Sequence, residues 1–286
     1  MNRLAQLLAT GLLSLAIVGP ASAQTSKEPA GSPPAAGEAG AADLAKKLAN
    51  PVSDLVSVPF QANWDQGVGV DDATRFILNI QPVVPVSLTK KWNLIGRVIM
   101  PIIGMPPLVT GAESTSGMGD ILASAFFSPA DSSRMIWGVG PVVSLPTSTD
   151  PYLGSGKWSG GPTVVILKQK GPWTYGVLWN QIWSFADATD ADRTEVSQMY
   201  FQPFLNHTNK RAVTYTFSSE STANWEADDG EKWTVPIIAQ VSKVSSFGPF
   251  IASYGVGLGG YIESPEGGPS WKLRAVFTLL LPKKRA

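Results

Sequence analysis

The chain has 286 residues, 44% of them hydrophobic and only 15% charged, with 22 cations balanced by 22 anions, one histidine and no cysteine. Zero formal net charge provides no basic field for nucleic acid and no acidic solubilising tail. Without cysteine there are no disulfides or thiolate metal sites, and His207 alone cannot build a histidine metal site, so no cofactor and no metal is expected.

Residues 1–23 combine Arg3, an apolar run over 7–18 and the small-residue pattern Ala21-Ser22-Ala23, which predicts a bacterial secretory signal peptide cut after Ala23. The apolar run is too short to span a bilayer and no stop-transfer charges follow. Residues 24–42, rich in Pro, Gly and Ala, read as a flexible periplasmic linker with nothing to bury. A short periplasmic helix is expected over 43–50, with Asp43 near its start and Asn50-Pro51 as its stop. Residues 51–286 then form a single β domain. No later stretch supplies the roughly eighteen apolar residues a spanning helix needs; residues 80–109 come nearest and are broken by Lys90, Lys91, Arg97 and several prolines.

About twelve strand-length segments follow, at 55–65, 75–88, 92–103, 120–127, 135–145, 158–169, 173–185, 196–207, 212–225, 233–244, 250–262 and 271–281. The last carries the clearest pattern. Trp271, Leu273, Ala275, Phe277, Leu279 and Leu281 occupy one face of a period of two, and Lys272, Arg274 and Thr278 occupy the other. An apolar outside over a wet inside predicts an all-β fold: a transmembrane antiparallel up-and-down β-barrel of about 12 strands.

The connections alternate in kind. Residues 89–91, 170–172, 208–211 and 245–249 are tight and partly cationic, as periplasmic turns are. Links 66–74, 104–119, 146–157, 186–195, 226–232 and 263–270 are longer and carry acids, among them Asp187, Asp190, Asp192, Asp228 and Asp229, which predicts extracellular loops. Tryptophan, an amphipathic ring that favours headgroup level, marks both rims. Trp64, Trp158, Trp183, Trp225, Trp233 and Trp271 adjoin the long links, whereas Trp92, Trp137 and Trp173 adjoin the tight turns. Only Trp179 falls mid-strand.

Proline opposes this reading, because Pro82, Pro85, Pro101, Pro141, Pro162, Pro203 and Pro236 each remove a ladder donor; bulges or bends are expected there. Alternation predicts a lumen lined by Asn79, Gln81, Asn93, Arg97, Thr163, Asn180, Gln198, Gln202, Asn206, Thr214, Thr216, Glu220, Asn224, Gln240, Lys272 and Arg274. Facing lipid at mid-depth, a cation costs roughly 2–4 kcal/mol and an acid less, so Arg97, Glu220 and Arg274 argue for an inward face. Arg97, Lys272 and Arg274 form either a cationic lip for an anionic solute or pairs with Glu220 and another acid; pairing is favoured.

Catalytic geometry is poor, since His207 adjoins a periplasmic turn, away from the outer leaflet where a barrel phospholipase works, and reads as a turn flank. Asp187, Asp190 and Asp192 have the oxygen chemistry of a divalent-cation site but fit solvated loop residues better. Gly255, Gly257, Gly259 and Gly260 alternate within a strand with no following P-loop lysine, so they permit bending or close approach and do not hold nucleotide.

Several in-order stretches between about residues 44 and 283 resemble a known family: 50–61 from Asn50 to Gln61, Leu78-Asn79-Ile80-Gln81-Pro82-Val83, Trp137-Gly138-Val139-Gly140-Pro141, Leu153-Gly154-Ser155-Gly156-Lys157-Trp158-Ser159, Gln202-Pro203-Phe204, Ala223-Asn224-Trp225-Glu226-Ala227 and Trp233-Thr234-Val235-Pro236. They resemble Gram-negative outer-membrane proteins related to the MetA-pathway phenol-degradation group, whose members often carry the labels transporter or neuromedin U. The resemblance implies a barrel in the cell outer membrane, a transport role, and tolerance of Pro82, Pro141, Pro203 and Pro236; it supplies no catalytic residues. The chain ends Pro282-Lys283-Lys284-Arg285-Ala286, without the terminal aromatic that many such proteins use for assembly, which leaves either Phe277 or Leu281 for that purpose or a weak insertion signal.

The expectation is therefore a non-enzymatic outer-membrane barrel, a passive channel or transporter for small molecules; only the family label points to aromatic or hydrophobic ones. Its partners are outer-membrane lipid, the barrel assembly machinery and an unknown solute, with no nucleic acid. The alternative is a structural or adhesive outer-membrane protein acting through its loops.

Overall fold

The computed structural model describes residues 38–131, 135–188, 193–248 and 250–281. The predicted signal peptide, residues 24–37 of the predicted linker, Asp190, Asp192, Pro249 and residues 282–286 lie outside that set.

Among the described residues a helix, α1 (Glu38–Leu48), precedes twelve antiparallel staves closed into a cylinder. These are β1 (Val56–Val68), β2 (Ala73–Ile80 continued by Val83–Ser87), β3 (Trp92–Met105), β4 (Thr115–Met118 continued by Ile121–Pro129), β5 (Ile136–Leu145), β6 (Lys157–Lys170), β7 (Trp173–Asp187), β8 (Ser197–Thr208), β9 (Val213–Ser219 continued by Ser221–Asn224), β10 (Trp233–Phe247), β11 (Phe250–Glu263) and β12 (Trp271–Leu281). Each stave pairs with its sequence neighbours. β12 returns to β1 in continuous register from Gln66 opposite Trp271 to Val56 opposite Leu281. Closure leaves no edge strand to pair with another chain.

Alternation does the sorting in β12. Trp271, Leu273, Phe277 and Leu281 are exposed on the outside, while Lys272, Arg274, Thr278 and Leu280 are buried within. Eleven residues at about 3.3 Å each, tilted about 45°, rise roughly 26 Å, the height of the apolar band of an outer-membrane barrel. Ile166, Phe201, Leu205, Phe217, Val256 and Leu258 extend the exposed apolar belt around the wall.

The prolines interrupt ladders more often than they bulge them. Only Pro236 coincides with a register shift. Pro82 splits β2, and pairing of β3 with β4 skips the positions around Pro101. Pro141 and Pro162 face each other across β5 and β6, where the ladder continues, and each leaves its gap on the far side, toward β4 and β7 respectively. An antiparallel residue donates to one neighbour only, so a facing proline pair confines the loss to the outer flanks. Glycine compensates by letting backbones close in: a side chain on Gly140 or Gly161 would strike the carbonyl oxygen of Ala125 or Gln181, at 1.7 and 2.0 Å. Pro203 lies where β9 is broken at Glu220.

Two expectations need correction. The helix starts at Glu38, inside the stretch read as linker to residue 42, and stops at Leu48. Its Glu-Ala-Gly-Ala-Ala opening contains good helix formers that docking stabilises. The link expected over 66–74 shrinks to 69–72, because a bulge between Gln66 and Val68 carries β1 on to pair Val68 with Ala73.

Candidate functional site

The lumen holds two adjoining chambers. The larger, about 610 Å³, occupies the half toward the long loops, and the smaller, about 270 Å³, lies against the helix. Their walls share four side chains: Gln61 from β1, Gln81 from the break in β2, Arg97 from β3 and Gln202 from β8. These residues form a neck of three amides and one guanidinium. Arg97 Nη2 donates to Gln81 Oε1 at 2.6 Å.

Of the predicted solute-contact positions, Asn79, Gln198 and Glu220 line the larger chamber, and Gln81, Arg97 and Gln202 line both. Thr163 and Asn180 join the larger chamber; Asn206, Thr214, Thr216 and Gln240 join the smaller. Asn93 lies in neither wall. Asn224 stands opposite Gln198 at the end of β9, lines neither chamber wall, is exposed, and accepts through Oδ1 from the backbone of Glu226.

Lys272 and Arg274 face inward but line neither chamber, because acids engage them. Arg274, 3% exposed, grips Glu220 with both terminal nitrogens at 2.7 Å and donates through Nε to Asn63 at 2.8 Å. Asp65, 1% exposed, accepts from Arg75 at 2.8 Å and Tyr261 at 2.9 Å, with the Lys272 ammonium at 3.4 Å. Lys272 also sits 5.3 Å from the centre of the Tyr261 ring. Bidentate geometry and added donors are what a desolvated ion pair needs to offset its burial. This network brackets the seam between β1 and β12 and excludes a three-cation lip.

Each end of the lumen has a cover. At the short-turn end Ala45 of α1, 3% exposed, packs on Ala212, Val244 and Leu280, flanked by Leu44, Leu48, Leu55 and Ile251. Asn50 caps the following turn by accepting from Val52 N, and Val52 enters a second cluster with Phe126, Val165 and Leu167. Polar ties are few: Gln169 donates to the Lys46 carbonyl, and Lys47 pairs with Asp54.

The other cover is the loop over 146–156, which turns inward so that Leu153, Gly154 and Ser155 line the larger chamber. Polar bonds hold it. Asp120 accepts from the Ser155 amide at 2.7 Å, the Ser155 hydroxyl at 2.8 Å and the Ser148 amide at 3.2 Å. Arg193 donates to the carbonyls of Gly154 and Pro151. Beside it Lys157 bridges Asp187 at 2.7 Å and Glu195 at 2.8 Å, and Ser184 donates to Glu195. Lys157, then the Ser184 hydroxyl, holds the Glu195 carboxyl below the usual carboxylate range. Asp187 is thus paired with a cation, and among the described residues no group of three or more His, Asp or Glu side chains is placed to hold a metal.

The tryptophans lie where two rims require them. Trp92 and Trp137 meet edge to face at 5.9 Å, and Trp173 packs against His207 at 4.7 Å, toward the tight turns. Trp225 and Trp233 meet at 5.6 Å and Trp64 packs on Phe76 at 5.5 Å near the long loops, where Trp158, Trp183 and Trp271 are exposed. His207 belongs to an aromatic cluster with Trp173 and Tyr215, away from both chambers.

Gln61, Asn63, Asp65, Asp120 and Tyr200 were absent from the predicted lining. Gln61, Asn63 and Asp65 alternate with Ala62 and Trp64, so the period of two in β1 already marked them.

No protein-family model matches the chain, and no curated protein matches it. Among solved structures it is similar to the COG4313 outer membrane channel from Pseudomonas putida F1, with a TM-score of 0.60 and 15% identity over 79% of this chain and 94% of that one. More distant are a bacterial polysaccharide outer membrane secretin (0.37, 11% identity, 80% of this chain and 99% of that one) and LpxR from Salmonella typhimurium (0.37, 9% identity, 79% and 100%). The likeness to the first establishes the architecture: the fold is that of an outer-membrane β-barrel.

Proposed function

We propose that the mature chain is an outer-membrane channel that passes small solutes by passive diffusion, after export through its N-terminal leader and insertion by the barrel assembly machinery. The observation that carries this reading is the pair of adjoining polar chambers inside a wall whose outer face is apolar. Side chains fill a small barrel's interior unless space is left for a ligand or path. Here the space runs from the helix to the inturned loop and is lined by amides and hydroxyls interleaved with apolar side chains. Such groups wet a path without trapping one sign of charge. The similarity to a solved outer membrane channel supports the same conclusion.

Helix α1 and the turn after it narrow the path, so intrinsic conductance is expected to be small. Planar-bilayer recording and liposome flux of the purified protein, with and without residues 24–54, test this. The full chain should conduct weakly and the shortened chain severalfold more. Absence of current and of solute flux in both forms removes the channel reading.

A further inference from the structure

The neck contains a charge unlike any other in the chamber walls. The chambers are lined by three formally charged side chains: Arg97, Asp120 and Glu220. Glu220 is held by both terminal nitrogens of Arg274, and both oxygens of Asp120 accept from the inturned loop. Arg97 has no acid. Of the five N–H donors a guanidinium offers, one is engaged, by the amide oxygen of Gln81. The Arg97 side chain borders both chambers.

We propose that Arg97 is a binding station for monocarboxylates that carry a compact apolar body, at the point every solute must pass. The proposal deepens the channel reading and takes the chambers as the solute path. Planar guanidinium matches a carboxylate in a two-bond fork, and the amide groups of Gln61 and Gln202 lie in the same neck to donate to its oxygens. One cation among neutral amides suits a monoanion better than a phosphate dianion, which calls for a second cation. Ile99, Leu122, Phe126, Leu178 and Ile182 line the larger chamber alongside these polar groups. They offer an apolar wall to the ligand's body, and 610 Å³ falls within the usual range for small-molecule sites.

Benzoate serves as the probe, benzyl alcohol as its uncharged counterpart, and acetate as the carboxylate without the apolar body. Titration calorimetry on the full chain in detergent should show benzoate binding that weakens at least tenfold in Arg97→Gln. Arg97→Lys keeps the charge but loses the fork and should fall between the two. Benzyl alcohol binding should not respond to either change, and acetate should bind more weakly than benzoate. In bilayers the wild type should favour anions, and Arg97→Gln should lose that preference. Heat-dependent gel mobility identifies variants that have failed to close the barrel; where Arg97→Gln fails, Arg97→Lys carries the comparison. Equal benzoate affinity in wild type and folded variants overturns the station, whether or not the protein conducts. Arg97-dependent binding in a protein that passes neither current nor solute, with or without residues 24–54, leaves the station standing and removes the channel.

Discussion

The two ends of the lumen are closed by opposite chemistry. At the tight-turn end an eleven-residue helix presses alanine and leucine onto apolar wall positions and makes few polar bonds. At the loop end an inturned segment is tied by Asp120, Arg193 and the group Lys157, Asp187, Glu195 and Ser184. An apolar seal is insensitive to pH and is strengthened by excluded salts, whereas exposed charge pairs are screened by salt and lost on protonation. One protein thus carries an indifferent cover and a condition-sensitive one.

The sharpest break in this contrast is to place a charge in the apolar seal. An aspartate at Ala45 would be pressed against Ala212, Val244 and Leu280 at the edge of the smaller chamber, where an unpaired buried charge costs up to about 3–5 kcal/mol. Ala45→Asp should therefore release α1 and raise bilayer conductance toward that of the protein lacking residues 24–54. Unchanged conductance would show that other contacts hold the helix.

Next in size is Asp120→Ala at the opposite end. It removes three hydrogen bonds to a carboxylate, each contributing about 1.5–3 kcal/mol when charge-assisted, although water recovers part for a segment near the mouth. Limited proteolysis should then cut within 146–156, with no new cleavage near α1.

The smallest effect concerns Glu195. Its carboxyl titrates below the usual range in the folded protein, so the contribution is present above the unfolded value near 4.5 and disappears as pH falls through the lower folded one. Current fluctuations arising at the loop end should increase as pH falls below the usual carboxylate value, and molar salt should mimic the change at neutral pH. Glu195→Gln should abolish the pH dependence, while the helix end responds to neither variable. A pH response that persists in Glu195→Gln would move the sensitivity to another acid.

Legibility in the sequence followed the range of the interactions. The staves were readable because alternation and turn chemistry are local: all twelve observed staves overlap the proposed segments, and β12 matches residue for residue. Inward direction was legible for the same reason at Asn79, Gln81, Arg97 and Gln202. Partners were not, because Asn63 and Arg274 meet across 211 positions and Asp120 and Ser155 across 35, and no period relates them. Proline was misread in degree. Its expected bulges appear chiefly as skipped rungs, because facing Pro141 with Pro162 and placing glycine beside each lets the backbone absorb the loss.

The helix that seals the tight-turn end also orders events in time. Its seat combines Ala212, Val244, Ile251 and Leu280, contributed by the last third of the chain, and eleven residues alone are too few to stay helical in water. The seat exists only once β9 to β12 have paired with one another. A segment synthesised among the earliest therefore finds its place among the latest, and its docking records that the last four staves have come together.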